Sequence, residues 1–173
     1  RRGDAVILLS ASGRTPYALT IASIARQRGA HVIGLANNPD APLLDLADVA
    51  ICLPTPPEVI SGSTRMGAGT AQKAALNMLS TIMGVALGHV HDGMMVNLHA
   101  DNDKLRDRAA RMVADIASVP HERAETALAT AKGRVKPAVL LAMGAPNLTL
   151  AEDLLTKADG RLRAAIAALH SHA

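Results

Sequence analysis

Aromatic residues are nearly absent from this sequence. Among its 173 residues there is no Phe and no Trp, and Tyr17 is the single tyrosine. Proteins that hold single-stranded nucleic acid commonly stack bases on aromatic side chains, so the sequence excludes this mode of binding. With 49% hydrophobic residues, the interior must instead be built from Ala, Leu, Ile, Val and Met.

Charge of one sign is not concentrated in any segment. The formal net charge is +3 and the pI is about 9.4, but Lys and Arg are scattered among Asp and Glu without a continuous basic block. A helix-turn-helix reader of DNA is not evident in the sequence either. A small anionic ligand accounts for this charge as well as DNA does, but without aromatic platforms or a reader helix we expect no nucleic-acid partner.

The sequence also has little cysteine and no long hydrophobic run. Cys52 alone cannot form an internal disulfide, which is typical of a reducing compartment, and its apolar neighbours predict a small buried core residue. The longest apolar stretch, Leu76 to Leu87, is interrupted by polar residues and is too short to span a bilayer. Because Arg1 to Asp4 lead directly into a strand-like run, without a signal peptide, we expect a cytoplasmic protein that makes no membrane contact.

Three short apolar runs alternate with helical segments in the first third of the chain. The runs cover Ala5 to Leu9, His31 to Ala36 and Val49 to Leu53, and each ends at a cluster of turn-forming or polar residues. A helix is predicted from Pro16, a residue that suits the first helical turn, to about Arg28. Buried strands separated by helices are typical of a parallel sheet, so the predicted fold is a three-layer α/β/α sandwich.

Longer helical patterns follow the predicted sheet. From Ser63 to about Gly88, apolar residues recur at helical spacing in an Ala- and Met-rich segment, which predicts a long, largely buried helix and self-association through it as a homodimer. Asp101 to Ala117 predicts an amphipathic helix. A change of composition near Val119 then predicts two domains, residues 1–119 and 120–173, the second a small bundle of three short helices.

The loop after the first strand carries the first candidate site. In parallel α/β sheets, ligands bind beyond the carboxyl ends of the strands, where helix N-termini present unpaired N–H groups. Ser10, Ser12 and Thr15 offer hydroxyl groups at such a position, and Gly13 lets the backbone approach a ligand closely. A phosphate group fits this loop, but a plain helix cap formed by Ser12 or Thr15 fits it equally well. The residues alone leave both alternatives open.

A second polar cluster follows the third strand and leads into the long helix. Its hydroxyl and charged residues are Glu58, Ser61, Ser63, Thr64 and Arg65. Glu58 can act as a base or orient sugar hydroxyls, and Arg65 can pair with an anion. The alternative is a carboxylate that caps the helix and an exposed arginine. Because both clusters follow the carboxyl ends of strands, we expect them to meet at one site.

Three histidines stand close together in the sequence, at His89, His91 and His99. Histidine is a common metal ligand, but no carboxylate at the spacing of a catalytic metal site completes this group. We therefore expect a polar turn after the helix stop at Gly88, and no metal.

Several long, ordered strings carry a resemblance to a known family. They are S-A-S-G-R-T-P-Y at Ser10 to Tyr17, N-N-P-D-A-P at Asn37 to Pro42, E-V-I-S-G-S-T-R-M-G-A-G-T-A-Q-K at Glu58 to Lys73, L-N-M-L-S-T at Leu76 to Thr81 and A-D-N-D-K-L at Ala100 to Leu105. With these strings the sequence resembles sugar isomerase (SIS) domains, and among them the bacterial N-acetylmuramic acid 6-phosphate etherases. The resemblance covers essentially the whole chain.

This resemblance implies a sugar phosphate as the partner. By motif match, the hydroxyls that hold it fall on Ser10, Ser12 and Thr15, with Ser61, Ser63 and Thr64 nearby. The implied reaction is a carbon-oxygen lyase reaction that eliminates D-lactate and then adds water to give N-acetylglucosamine 6-phosphate. It needs a base and an acid but no metal or other cofactor. An aldose-ketose phosphosugar isomerase and a non-catalytic sugar-phosphate sensor stay open as alternatives.

The sequence departs from the family pattern in one respect. Members of the family carry a further N-terminal half with the carboxylates assigned to acid and base catalysis, and the resemblance implies that this half lies upstream of Arg1. The catalytic residues are therefore expected outside this chain, with Glu58 as a candidate within it. The chain alone is expected to turn over little or no substrate.

Overall fold

A computed structural model describes residues 1–172 of the chain. They form two compact units, Arg1–Leu79 and the part that begins at Ser80, and each has its own hydrophobic core. In chain order the elements are β1 (Ala5–Ser10), α1 (Pro16–Gln27), β2 (His31–Ala36), α2 (Pro42–Asp45), β3 (Val49–Cys52), α3 (Gly67–Ala86), β4 (Val90–His91), β5 (Met94–Met95), α4 (Asp103–Ala117), α5 (His121–Thr130), α6 (Val135–Ala142), α7 (Leu148–Lys157) and α8 (Leu162–His172).

The first unit is built on a parallel sheet with the strand order β1-β2-β3. Ser10 at the end of β1 pairs with Ala36 at the end of β2, and Ala36 pairs with Cys52 at the end of β3. The three strands therefore end level with one another, and the loops that follow them meet at one edge of the sheet. The predicted α/β class with a parallel sheet is confirmed.

Helices α1 and α2 pack together on one face of this sheet. Leu8 and Val32 share a core there with Ala22 of α1 and the fully buried Leu43 of α2. Gly34 leaves α2 room to approach β2, because a Cβ at this position would lie 3.0 Å from the carbonyl oxygen of Leu43. The close packing fixes the start of α2 directly beneath the loops at the sheet edge.

Strand β3 is more exposed than its apolar sequence predicts. It forms an edge of the sheet, and Val49 at its start is 52% exposed. Cys52 at its end is exposed as well, so the prediction of a buried core cysteine is wrong. A short apolar run looks the same in a central strand and in an edge strand, and only the order of strands in the sheet distinguishes them.

Helix α3 lies within the predicted segment, at Gly67–Ala86 rather than from Ser63 to about Gly88, but it does not have the predicted burial. Met78, Ile82 and Val85 are 60%, 66% and 56% exposed. Helical periodicity shows that the apolar side chains share one face of the helix, but it does not show whether another element of the same chain covers that face. The prediction of a largely buried helix is therefore wrong for the described residues. No helix within residues 1–172, α3 included, is long and apolar enough to cross a membrane.

The second unit contains the end of α3, a small hairpin and the helices α4 to α8, which surround one core. In that order, the helices contribute the buried side chains Val113, Leu128, Val139, Leu154 and Leu169. Helix α4 begins at Asp103, two residues after the predicted start at Asp101, and is capped by Asn102, whose Oδ1 accepts a hydrogen bond from the N–H of Leu105 (2.9 Å). Because α4 packs against α5 and α6, this core runs across residue 119. The domain limits 1–119 and 120–173 remain a prediction.

Two elements of the second unit lie outside the sequence-based expectation. Helix α5 precedes the three expected tail helices. Strands β4 and β5 form a hairpin whose turn residues, Asp92 and Gly93, have φ values of 46° and 78°. Two successive residues with positive φ are what the tight turn of a β-hairpin requires. Strands of two residues are too short to show a periodicity, so the sequence gives little sign of them.

Candidate functional site

The loop that follows β1 is closed at its base by its own hydroxyl groups. Ser10 Oγ and Thr15 Oγ1 are 2.8 Å apart and share a hydrogen bond. The N–H of Gly13 donates to the carbonyl of Ser10 (3.0 Å), which makes the turn tight. Ser10 is buried, so its hydroxyl joins the end of β1 to the start of α1. Ser10 and Thr15 thus give the loop its shape.

Glycine is required at position 13 by both its backbone and its surroundings. Gly13 has a φ of +64°, and a Cβ there would overlap Ala41 Cβ and lie 3.2 Å from Ala36 Cβ. The carbonyl of Gly13 also accepts a hydrogen bond from the N–H of Leu43 (3.1 Å). The loop therefore packs directly on the start of α2, without room for a larger residue.

Ser12 is the exposed hydroxyl of this loop. Its Oγ accepts a hydrogen bond from the N–H of Arg14 (3.2 Å), and its hydroxyl hydrogen has no acceptor among residues 1–172. Helix α1 begins nearby with Pro16, has no acidic residue in its first turn and receives no side-chain cap from Thr15. The first N–H groups of a helix lack partners within the helix, and this end carries partial positive charge. An anion would therefore find donors here.

Glu58 joins the second loop to the start of α3. Its Oε2 accepts a hydrogen bond from the N–H of Gly67 (3.1 Å), and its Oε1 accepts one from the N–H of Ala68 (3.0 Å). These are the contacts of a helix cap, and the carboxylate also faces the positive end of the helix. Each carboxylate oxygen has a further lone pair, so Glu58 can still accept a hydrogen bond from a ligand hydroxyl.

The two loops line one cavity of about 420 Å³ at the carboxyl edge of the sheet. Of the residues predicted from the sequence, Ser12, Ser61, Thr64 and Glu58 line it. The other lining residues are Ala11, Asn37, Asn38, Thr55, Pro56, Pro57, Gly62 and Ala68. Glu58 is the one ionisable side chain in this lining, so the side-chain hydrogen-bond donors of the cavity are neutral.

The remaining predicted residues lie around this cavity but outside its lining. Ser10 and Gly13 are buried in the first loop, and Thr15 is bonded to Ser10. In the second loop Ser63 is half-buried and Arg65 is exposed. The direct roles in ligand binding assigned to these five residues remain predictions.

Asn37 is the principal residue of the site that was not predicted as a binding residue, although it opens the string N-N-P-D-A-P. It lies at the end of β2, is 5% exposed and lines the cavity. In the sequence it opens a string of turn-forming residues, which predicts a solvated turn. Its place directly after a strand, at the same edge as the two loops, was the signal that could have identified it.

The histidines do not form part of this site. His91 is buried in β4 and lies 3.4 Å from Asp92, in the second unit. Within the part of the chain that the structure describes, no group of three or more His, Cys, Asp or Glu side chains is placed to hold a metal ion.

Comparison with known proteins places the first half of the chain in a family. Residues 1–82 match the family model of the SIS domain. These residues belong to the SIS domain family. The SIS match includes all three strands of the parallel sheet and both loops of the cavity.

The whole chain is also similar to one part of longer proteins. N-acetylmuramic acid 6-phosphate etherase of Streptomyces avermitilis is 47% identical over 165 residues, which are 95% of this chain and 53% of that protein. The proteins of the same name from Streptomyces coelicolor and Salmonella schwarzengrund are 45% and 43% identical, over 95% and 94% of this chain and 53% and 55% of their own lengths. The chain spans about half the length of the curated relatives it matches.

Proposed function

We propose that this chain supplies the phosphosugar-binding part of an N-acetylmuramic acid 6-phosphate etherase, a carbon-oxygen lyase of the cytoplasm. One observation carries the proposal: a cavity of about 420 Å³, lined by Ser12, Ser61, Thr64 and Glu58 among others, lies between two SIS loops in a chain 47% identical to a protein of that name. The substrate would lose D-lactate and gain water, and the product would be N-acetylglucosamine 6-phosphate.

The cavity suggests how the ligand is oriented. The phosphate would lie at the first loop, where the Ser12 hydroxyl and the positive end of α1 can both bind an anion. The sugar would then extend toward Ser61, Thr64 and Glu58, which offer two hydroxyls and a carboxylate. Because the lining contains no cationic side chain, the phosphate would be held by neutral donors and by the helix end rather than by ion pairs.

The chemistry needs groups beyond those of the cavity. A base would remove the proton from the carbon beside the one that bears the ether, the carbon-oxygen bond would break, and an acid would give a proton to the departing lactate oxygen. Glu58 is engaged by two backbone N–H groups, which favours orientation of the sugar over proton abstraction. We infer that the acid and the base lie outside residues 1–173.

The proposal is tested by incubating the intact gene product with N-acetylmuramic acid 6-phosphate and measuring D-lactate. Lactate release is expected. Tight binding without lactate would instead indicate a sensor, and interconversion of aldose and ketose phosphates would indicate an isomerase.

Ser12→Ala tests the phosphate end of the cavity. A hydrogen bond to a charged group contributes about 1.5–3 kcal/mol, so this substitution should weaken N-acetylglucosamine 6-phosphate binding by about 10- to 100-fold. Ser23→Ala is the matched control, because Ser23 is an exposed serine on α1 that lies outside the cavity lining. Equal affinity of the two variants in calorimetric titration would show that Ser12 does not bind the phosphate.

We also propose that the protein is a homodimer. Met78, Ile82 and Val85 are spaced by four and three residues, so they lie along one stripe of α3, and each is more than half exposed. Burying such a stripe against a second copy would remove it from water. Ile82→Glu should therefore shift the mass measured by light scattering toward that of one chain. A wild-type monomer, or a dimer unaffected by the substitution, would contradict this proposal.

A further inference from the structure

One buried residue, Asn37, connects the first loop, the end of β3 and α3, the first through its backbone and the other two through its side chain. The N–H of Asn37 donates to the carbonyl of Ala11 in the first loop (3.0 Å). Its Nδ2 donates to the carbonyl of Leu53 at the end of β3 (2.9 Å), and its Oδ1 accepts a hydrogen bond from Nε2 of Gln72 on α3 (2.8 Å). Asn37 is 5% exposed, so water has little access to these bonds and they are costly to break.

The hydrogen bond to Leu53 holds a segment of the chain that has few backbone N–H donors. The N–H of Leu53 makes a sheet bond to Ala36 (2.8 Å), but Pro54, Pro56 and Pro57 follow, and proline has no N–H to donate. The segment between β3 and Glu58 therefore cannot be held by a regular ladder of sheet hydrogen bonds. Asn37 anchors this segment where it leaves the sheet.

The contact with Gln72 holds the start of α3. Gln72 lies one helical turn after Ala68, whose N–H is bonded by Glu58. This side-chain hydrogen bond joins α3 to the sheet edge, and the second loop lies between the two points held by Asn37, Leu53 and Gln72. The first loop is joined to the same asparagine through Ala11.

We propose that Asn37 and Gln72 are positioning residues that hold the second loop at a fixed distance from the first. A ligand that contacts both loops then requires this pair, whereas an anion held by the first loop alone does not. The sugar phosphate as the ligand rests on the function proposed above. The positioning itself rests on the hydrogen bonds of Asn37.

The hydrogen bond between Asn37 and Gln72 also has a fixed direction, in which Gln72 donates and Asn37 accepts. Asn37 can accept from Gln72 only while its NH₂ group faces the carbonyl of Leu53. If position 72 carried a carboxylate, the amide would have to rotate to donate to it, and its oxygen would then face the Leu53 carbonyl. Gln72→Glu therefore breaks one of the two bonds in either orientation, although it changes the size of the side chain very little.

The first experiment measures backbone hydrogen exchange in the 173-residue chain and needs no ligand. Gln72→Ala and Gln72→Glu should each accelerate exchange in peptides covering residues 54–66 by about 2- to 10-fold, the loss expected for one hydrogen bond. Peptides from β1 and α1 should be unchanged. Gln27→Ala is the matched control, because Gln27 is an exposed glutamine at the end of α1. If residues 54–66 exchange alike in Gln72→Ala and Gln27→Ala, the positioning proposal is wrong.

The second experiment compares two ligands on the intact gene product. Gln72→Ala should weaken binding of N-acetylglucosamine 6-phosphate by about 2- to 10-fold but leave binding of inorganic phosphate unchanged, because the first loop does not depend on Gln72. Equal weakening for both ligands would show a general effect on the fold and would overturn the proposal. If the wild type binds neither ligand, the proposed function fails, and the exchange experiment still decides whether Asn37 and Gln72 position the loop.

Discussion

Replacing Gly13 by alanine tests whether the first loop is held in one shape by close packing. The substitution places a side chain at a φ of +64° and in overlap with Ala41 Cβ. The left-handed backbone costs an L-residue about 1–2 kcal/mol, and overpacking a well-packed site costs about 1–3 kcal/mol more. Gly13→Ala should therefore lower the free energy of unfolding by about 2–5 kcal/mol.

Gly62→Ala separates these two costs. Gly62 has a similar φ of +78°, but a Cβ there would meet no atom within 4 Å. In Gly62→Ala the free energy of unfolding should therefore fall only by the backbone cost, about 1–2 kcal/mol. Urea denaturation of both variants gives the packing cost as the difference between them. Adding Ala41→Gly to Gly13→Ala should recover part of that difference, measured as a coupling free energy in a double-mutant cycle. A Gly13→Ala variant that loses no more stability than Gly62→Ala would refute the close packing of the loop on α2.

Two further predictions concern single side chains. Glu58→Gln leaves one oxygen to accept the two N–H groups of Gly67 and Ala68, so the free energy of unfolding in urea should fall by about 1–2 kcal/mol, and no change would contradict the capping role. Burial lowers the pKa of Lys136 from its ordinary value of 10.5, so the charged form is disfavoured in the folded state. Wild-type stability relative to Lys136→Met should therefore rise as the pH increases toward 10.5, and a constant difference would contradict this.

The elements that the sequence predicted well are those whose limits or buried faces depend on residues within the element or next to it. Helix α1 begins at Pro16 and stops before Gly29, whose φ is +73°, because both residues act through their own backbone. Helix α4 shows its amphipathic pattern within its own residues, and Ala109, Met112 and Val113 are buried as expected. The position of both loops was also predictable, because strands that alternate with helices form a parallel sheet.

The errors concern features for which the cause lies elsewhere in the chain. Cys52 is exposed at the end of the edge strand β3, and the position of β3 in the sheet depends on its pairing with β2. The apolar side chains of α3 are exposed because the described part of this chain does not cover them. In each case the local pattern was read correctly, but burial depends on neighbours that are distant in sequence.

For the candidate site, the sequence by itself determined which loops carry hydroxyl groups and at which edge of the sheet they lie. Only the tertiary structure shows that Glu58 caps α3 while lining the cavity, and that Asn37 joins the first loop and the end of β3 to α3. Asn37 and Gln72 are 35 residues apart, and neither lies in a local pattern that indicates the other. A side-chain hydrogen bond depends on atoms within about 3 Å of each other, and folding alone brings these two side chains to that distance.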